Sequence, residues 1–267
     1  EPIGEGRWQL HNEMAHHLQA DERQRDQGTY EKVHRWGFAY FDGPLEGLEA
    51  KAIQADDAER LQRALRHARA IQPAAEWAAW LVKRLDQLGR GTIWQPLLAV
   101  AEKGVQEAAK ALGKNDPAIA GLLDRQATLL QEIARYEEAE PLFRRALAID
   151  EASYGKDHPD VARDLNNLAW LLQVTNRLGE AEPLIRRALA IDEASYGNDH
   201  PEVATKLNNL AQLLKATNRL AEAEPLFCRA LAIDEASYGN DHPEVSTKLN
   251  NLAQLLQATN RLAEAEP

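Results

Sequence analysis

Three histidines, two runs of paired glutamates, one cysteine and three pairs of asparagines have the residue types and spacing to do chemistry. His158, His200 and His242 recur 42 residues apart. A metal needs ligands that converge within a few ångströms. Residues one repeat apart in a stack of helix pairs are instead separated by two interaxial spacings, about 18–20 Å, so these histidines read as turn residues. His16 and His17, with His11 on the same helix, lack Cys or carboxylate partners at ligand spacing. No metal site is expected. Glu180/Glu182 and Glu222/Glu224 sit at i, i+2, on different faces of a helix start. Negative charge there suits the macrodipole rather than acid–base catalysis. Cys228 takes the place held by Arg144 and Arg186 in other copies, so it reads as an exposed free thiol with no base beside it. No nucleophile, base and oxyanion donors assemble, and the 267 residues contain no phosphate-binding loop. The chain is expected not to be an enzyme and to need no cofactor.

The asparagines are more informative. Asn166, Asn208 and Asn250 share one helical position, and Asn167, Asn209 and Asn251 the next. Asn is a middling helix former, so its recurrence in mid-helix needs a reason. Positions 163, 166, 170 and 173 line one face, as do 205, 208, 212 and 215, and 247, 250, 254 and 257. A carboxamide on that face supplies a donor and an acceptor together. It serves either a bound chain or a neighbouring helix, and one Asn position could serve each. Trp170 stands on the same face where Gln212 and Gln254 stand in other copies.

The elements that position these residues follow from the repeat. Pro117, Pro159, Pro201 and Pro243 are 42 residues apart, and residues 160–201 and 202–243 match at 33 of 42 positions. Residues 118–159 are a more diverged copy and 244–267 a partial one. Each unit reads as two helices. In the first (helix A), Leu165, Leu168, Ala169 and Leu172 form an apolar stripe at i, i+3, i+4 and i+7. In the second (helix B), Ala181, Leu184, Ile185, Ala188, Leu189 and Ile191 do the same. Asn176 supplies the left-handed turn between them, and Gly197 a left-handed cap after helix B. Asp199-His200-Pro201-Glu202 restarts a helix, with Asp199 expected to accept from free amides and Glu202 to reach back. Pro201 and Pro183 both read as first-turn prolines. Ala169 and Ala181 are expected where helices A and B cross, with Ala188 facing the next helix A. Leu249, Leu252 and Leu256 in the partial copy are expected to be incompletely covered, which makes end-to-end association a second reading. One hairpin cannot bury both faces, so stability comes from stacking.

The pattern Leu-Asn-Asn-Leu-Ala-x-Leu-Leu, Asn-Arg-x-x-Glu-Ala-Glu-Pro-Leu, Arg-Ala-Leu-Ala-Ile and Tyr-Gly-x-Asp-His-Pro resembles the 42-residue tetratricopeptide repeat of kinesin light chains, over residues 118–267. The resemblance implies an all-α, right-handed solenoid. It implies that helix A lines a concave groove, where Asn grips a bound peptide backbone. The residues then expected to contact a peptide or protein partner are Arg163, Asn166, Trp170, Gln173, Asn208, Gln212, Lys215, Asn250 and Gln254.

Residues 1–117 hold five of the six Trp. Helices are expected near 8–26, 29–41, 45–54, 56–71, 74–88 and 92–112. Residues 1–73 read as a separate helical segment and 74–117 as a degenerate pair that starts the solenoid, with Trp77, Trp80, Leu81, Leu85 and Leu88 as its inner stripe. Trp8-Gln9-Leu10-His11-Asn12-Glu13-Met14-Ala15 resembles the region after the winged helix of bacterial STAND signalling ATPases, with Asn12 where Asp is usual. That implies a nucleotide-binding domain before Glu1. The chain starts without Met and stops inside a repeat, and is read as a piece of a longer bacterial signalling protein.

Net charge is −11, and residues 118–267 carry 15 Lys+Arg against 24 Asp+Glu, a net of −9. Such a surface repels phosphate backbones, so no nucleic-acid partner is expected. No apolar run reaches the ~18 residues of a membrane span. One cysteine fits a reducing, cytoplasmic setting. The expected function is a protein-interaction scaffold or sensor. The alternatives are a self-associating structural solenoid and the regulatory repeats of a STAND ATPase.

Overall fold

The computed structural model describes residues 27–260. It holds eleven α-helices and no strand among the described residues. The chain divides into two compact units, residues 1–134 and 135–267. The division falls between the two helices of the 118–159 repeat.

The first unit contains α1 (Gln27–Asp42), two short 3-10 turns (Gly43–Leu45 and Ala50–Ala52), α2 (Ala55–Ile71), α3 (Ala74–Leu88), α4 (Trp94–Leu112) and α5 (Pro117–Glu132). The helix expected over 45–54 is absent. Pro44 sits within the first turn, and Gly47 at φ 71° breaks the run before the second. The helix expected over 8–26 lies outside the described residues, as do His11, His16, His17 and the Trp8–Ala15 motif. On α3, Trp77, Leu81, Leu85 and Leu88 are buried as the stripe requires. Trp80 is half-buried because its Nε1 donates to Asp42 (3.1 Å). The same carboxylate accepts from Arg84 Nε and Nη2 at 2.6 and 2.8 Å, a buried bidentate pair that ties α1 to α3. A planar guanidinium suits this fork geometry. The bonded Asp42 holds the Arg84 pKa above its usual value against the cost of burial. Gly104 lets α4 approach α3, since a β-carbon there would strike Leu81.

The second unit contains α6 (Tyr136–Tyr154), α7 (Pro159–Val174), α8 (Leu178–Tyr196), α9 (Pro201–Ala216), α10 (Leu220–Tyr238) and α11 (Pro243–Ala258). Val161, Ala162, Leu165, Ala188 and Ile191 form one buried cluster, and Val203, Ala204, Leu207, Ala230 and Ile233 its copy one repeat later. Ala188 therefore packs back onto its own helix A, where Ala169 and Ala181 are also fully buried. Leu189, expected on the same stripe, is the residue that reaches the following cluster. Leu249 is 43% exposed while Leu256 is buried.

The turns correct three expectations. Between α7 and α8, Asn176 adopts φ 59°, its amide bonds Gln173 O at 2.9 Å, and Arg177 N bonds Leu172 O at 2.8 Å. This is the Schellman closure. Gly197 is different, with φ 86° and ψ 164°. That is an extended conformation at positive φ, open essentially to glycine alone. The N-cap of α9 is His200 and not Asp199: His200 Nδ1 accepts from Glu202 N at 3.2 Å. Glu202 does not reach back but pairs with Lys206 at 3.0 Å. His158 and His242 cap α7 and α11 in the same way. Pro183 lies inside α8, which begins earlier, at Leu178. Its exposed position leaves the unbonded carbonyl four residues back to water.

Candidate functional site

The nine residues expected to meet a partner lie on α7, α9 and α11. Trp170 is 41% exposed, an unusual state for the largest apolar side chain. Gln212 and Gln254 hold the equivalent positions on α9 and α11 and are exposed. Lys215 Nζ donates to Gln254 Oε1 at 3.0 Å, which links two of the expected residues across neighbouring repeats. Gln173 is half-buried on the last turn of α7.

The asparagines bond between repeats. Asn209 Nδ2 donates to Asn166 Oδ1 at 2.8 Å, and Asn251 Nδ2 donates to Asn208 Oδ1 at 2.9 Å. Helices A of successive repeats therefore meet side chain to side chain at this level, closer than the two-spacing estimate used for the histidines. Asn208 is only 6% exposed, whereas Asn250 is exposed. The amide oxygens of Asn166 and Asn208 are thus engaged inside the array. Removing either side chain breaks an inter-repeat bond.

Arg163 also has structural work. Its guanidinium lies 2.5 Å from Asp160, 3.3 Å from Asp164 and 3.4 Å from Asp150. Asp150, Asp192 and Asp234 lie four residues before the ends of successive B helices and are buried. The cation comes from the next helix A: Arg163 for Asp150, Lys206 for Asp192 (3.1 Å) and Lys248 for Asp234 (3.1 Å). Burial pushes the Asp192 carboxyl above its usual range, with Lys206 pulling the other way. Burial also opposes the Lys248 charge, but the hydrogen bonds this lysine donates to Glu244 and Asp234 outweigh it and raise its pKa above the usual value. Sequence reasoning passed over this buried series, although the Ala-Ile-Asp triplet at 42-residue spacing signals it.

The helix-B glutamates form a further ladder. Arg177 grips Glu140 of the preceding B helix at 2.8 Å and Glu180 of its own at 2.8 Å. Arg219 repeats this on Glu182 and Glu222. Glu182 also takes Arg186 at 2.8 Å. The bonded guanidinium of Arg186 draws the Glu182 carboxyl below the usual carboxylate range. The Glu-Ala-Glu-Pro motif is thus a clamp between repeats, beyond the helix-dipole role expected of it. Cys228, exposed, replaces the arginine of this ladder.

No helix among the described residues is long and apolar enough to cross a membrane. No curated protein sequence matches the chain. A family model described as tetratricopeptide repeat matches residues 118–194, 172–236 and 203–267. Among solved structures, the chain is similar to BtubC (BKLC) from P. vanneervenii, at 20% identity and TM-score 0.62, covering 87% of this chain and 86% of that one. It is similar to a putative kinesin light chain from Podosopora anserina with nearly identical TPR-like repeats, at 24% identity and TM-score 0.60, covering 73% and 91%. It is also similar to a Rap protein complexed with Competence and Sporulation Factor, at 12% identity and TM-score 0.56, covering 92% and 74%. These identities speak to the fold, and the repeat pattern places it: the chain belongs to the tetratricopeptide repeat family, with an all-α solenoid of the kinesin-light-chain-like kind.

Proposed function

We propose that the chain works by binding a protein partner, and that the exposed face of helices A in residues 135–267 takes an extended peptide segment. The observation that carries this is Trp170, 41% exposed where its repeat equivalents are exposed glutamines. Interface hot spots favour tryptophan flanked by polar groups. Gln212, Gln254 and Lys215 supply donors and acceptors for a peptide backbone, while Asn166 and Asn208 hold the repeats in register beneath. The Rap neighbour, complexed with Competence and Sporulation Factor, supports a binding role for this architecture. Residues 74–117 serve in this reading as the pair that starts the array.

The test is selection of a displayed random dodecapeptide library on the full chain, followed by titration of the recovered peptides. The expected result is a loss of about tenfold or more in affinity for Trp170→Ala with Gln212→Ala, the size of one hot spot, with the helical circular dichroism unchanged. Peptides that bind native and variant chains equally, or a library that yields no binder, would refute the assignment. Asn166→Ala and Asn208→Ala are poor probes, because each also removes an inter-repeat hydrogen bond.

A further inference from the structure

A second periodic surface lies at the exit loops of the B helices, apart from the helix-A face. Tyr154, Tyr196 and Tyr238 are 47%, 44% and 46% exposed. Each stacks on the histidine four residues on, with ring centroids 4.7, 4.5 and 4.4 Å apart. Each histidine is fixed in turn, because its Nδ1 accepts from a backbone amide of the next helix. One face of each tyrosine is thus seated while much of the ring stays in water. Packing on the cap accounts for the seated face.

The charge around these rings has one dominant sign. Asp157, Asp199 and Asp241, each just before a capping histidine, are exposed and form no ion pair among the described residues. The Tyr196 hydroxyl is held above its usual pKa first by burial and then by the carboxylates of Asp192, Glu202 and Asp160, on α8, α9 and α7, with Lys206 opposing. Arg187 and Arg229 reach the loops through Lys156 O and Asn198 O, but each is paired with a glutamate, Glu151 at 2.6 Å and Glu193 at 2.7 Å. Lys156 stands in the first loop only, and Asn198 and Asn240 replace it in the others.

We propose that this edge binds an extended, arginine-rich segment of a partner protein, one guanidinium to each Tyr–His–Asp unit. A guanidinium is planar, stacks on aromatic faces and pairs with carboxylates, so one group uses both features of the unit. Helices A of neighbouring repeats are bridged by their asparagine side chains, so successive units are spaced on the order of 10 Å. A polyproline-II chain is extended, rises about 3.1 Å per residue and completes a turn in three residues. Arginine at every third residue then keeps the guanidiniums on one side of the chain at a spacing of that order.

The probe is a fluorescein-labelled peptide of four Arg-Gly-Gly units, titrated by anisotropy into the full chain at 0.15 M salt. The control replaces each arginine with citrulline. Each ring contact is worth roughly two- to fivefold. Tyr154→Leu, Tyr196→Leu and Tyr238→Leu together should weaken binding at least about tenfold while keeping an apolar group on each histidine. Asp157→Asn, Asp199→Asn and Asp241→Asn should weaken it in a salt-dependent way. Trp170→Ala should change nothing, which separates this edge from the peptide site proposed above. Thermal melts of both triple variants check that the array remains folded. Binding by the leucine variant within twofold of native would reduce the edge to a nonspecific acidic surface and overturn the proposal. So would equal binding of the citrulline peptide, or no measurable binding to the native chain.

Discussion

Lys206→Met removes the cation from a pair that joins two repeats inside the core. Lys206 is 4% exposed and Asp192 2%, with Nζ 3.1 Å from Oδ2. Removing one member of such a pair leaves an uncompensated buried charge and costs about 3–5 kcal/mol. The second partner, Glu202, is 54% exposed and relaxes into water when released, so the lower end applies, about 3 kcal/mol. Against a total stability of about 5–15 kcal/mol, that moves a urea midpoint by about 1–2 M, read by circular dichroism. The cost depends on pH. Burial already raises the Asp192 pKa in the folded chain. The folded state therefore binds more protons between the usual carboxylate value and the raised one, and stability falls as pH rises through that window. Without Lys206 the window widens, so the loss seen at neutral pH should shrink toward acid. Lys206→Met with Asp192→Leu should recover most of the stability, because a matched apolar pair replaces a matched ionic one. A single variant within about 1 kcal/mol of native, or a double variant as unstable as the single, would refute the account.

Three further outcomes follow from the same reasoning. His200→Ala should cost about 1 kcal/mol by losing the N-cap of α9, and His200→Asn should restore most of it; urea melts read both. Ala134 sits at φ 59°, where Asn176, Asn218 and Asn260 stand in the other repeats, so Ala134→Asn should raise stability by about 0.5–1 kcal/mol in the same assay. Bonded arginines hold the Glu182 carboxyl below its usual range. Its contribution is present above the ordinary glutamate pKa and is lost as pH falls through the lowered one. Melting temperatures between pH 6 and pH 3 should therefore fall less steeply for Glu182→Gln than for the native chain.

The repeat made the second unit legible, because apolar residues at i, i+3, i+4 and i+7 leave a helix one face to bury. The left-handed Asn176 was readable for the same local reason. What escaped were the long-range polar partnerships. Nothing near Asp192 in sequence names Lys206, and nothing near Glu182 names Arg219. The capping role passed to His200 because an imidazole Nδ1 two residues before a free amide reaches it as a carboxylate does. In the first unit, composition located α1 to α4 but missed the break over 45–54. There the buried Leu45 and the Gln87 side chain on its carbonyl, 2.7 Å away, are tertiary facts. On the candidate site, the shared helix-A face was legible. The division of labour on it, with asparagines turned to neighbouring repeats and Trp170 to water, was not.

The junctions between units of the second half are chemically interchangeable. Asp192 meets Lys206 as Asp234 meets Lys248, and Asn166 receives Asn209 as Asn208 receives Asn251. Excising residues 202–243 would bring Asp192 to Lys248 and Asn166 to Asn251, and every buried group would still find its counterpart. Length is therefore a nearly neutral variable for such a gene. Misaligned recombination between near-identical copies can add or drop a segment without stranding a charge, while the singular Trp170 marks which segment a given partner must find.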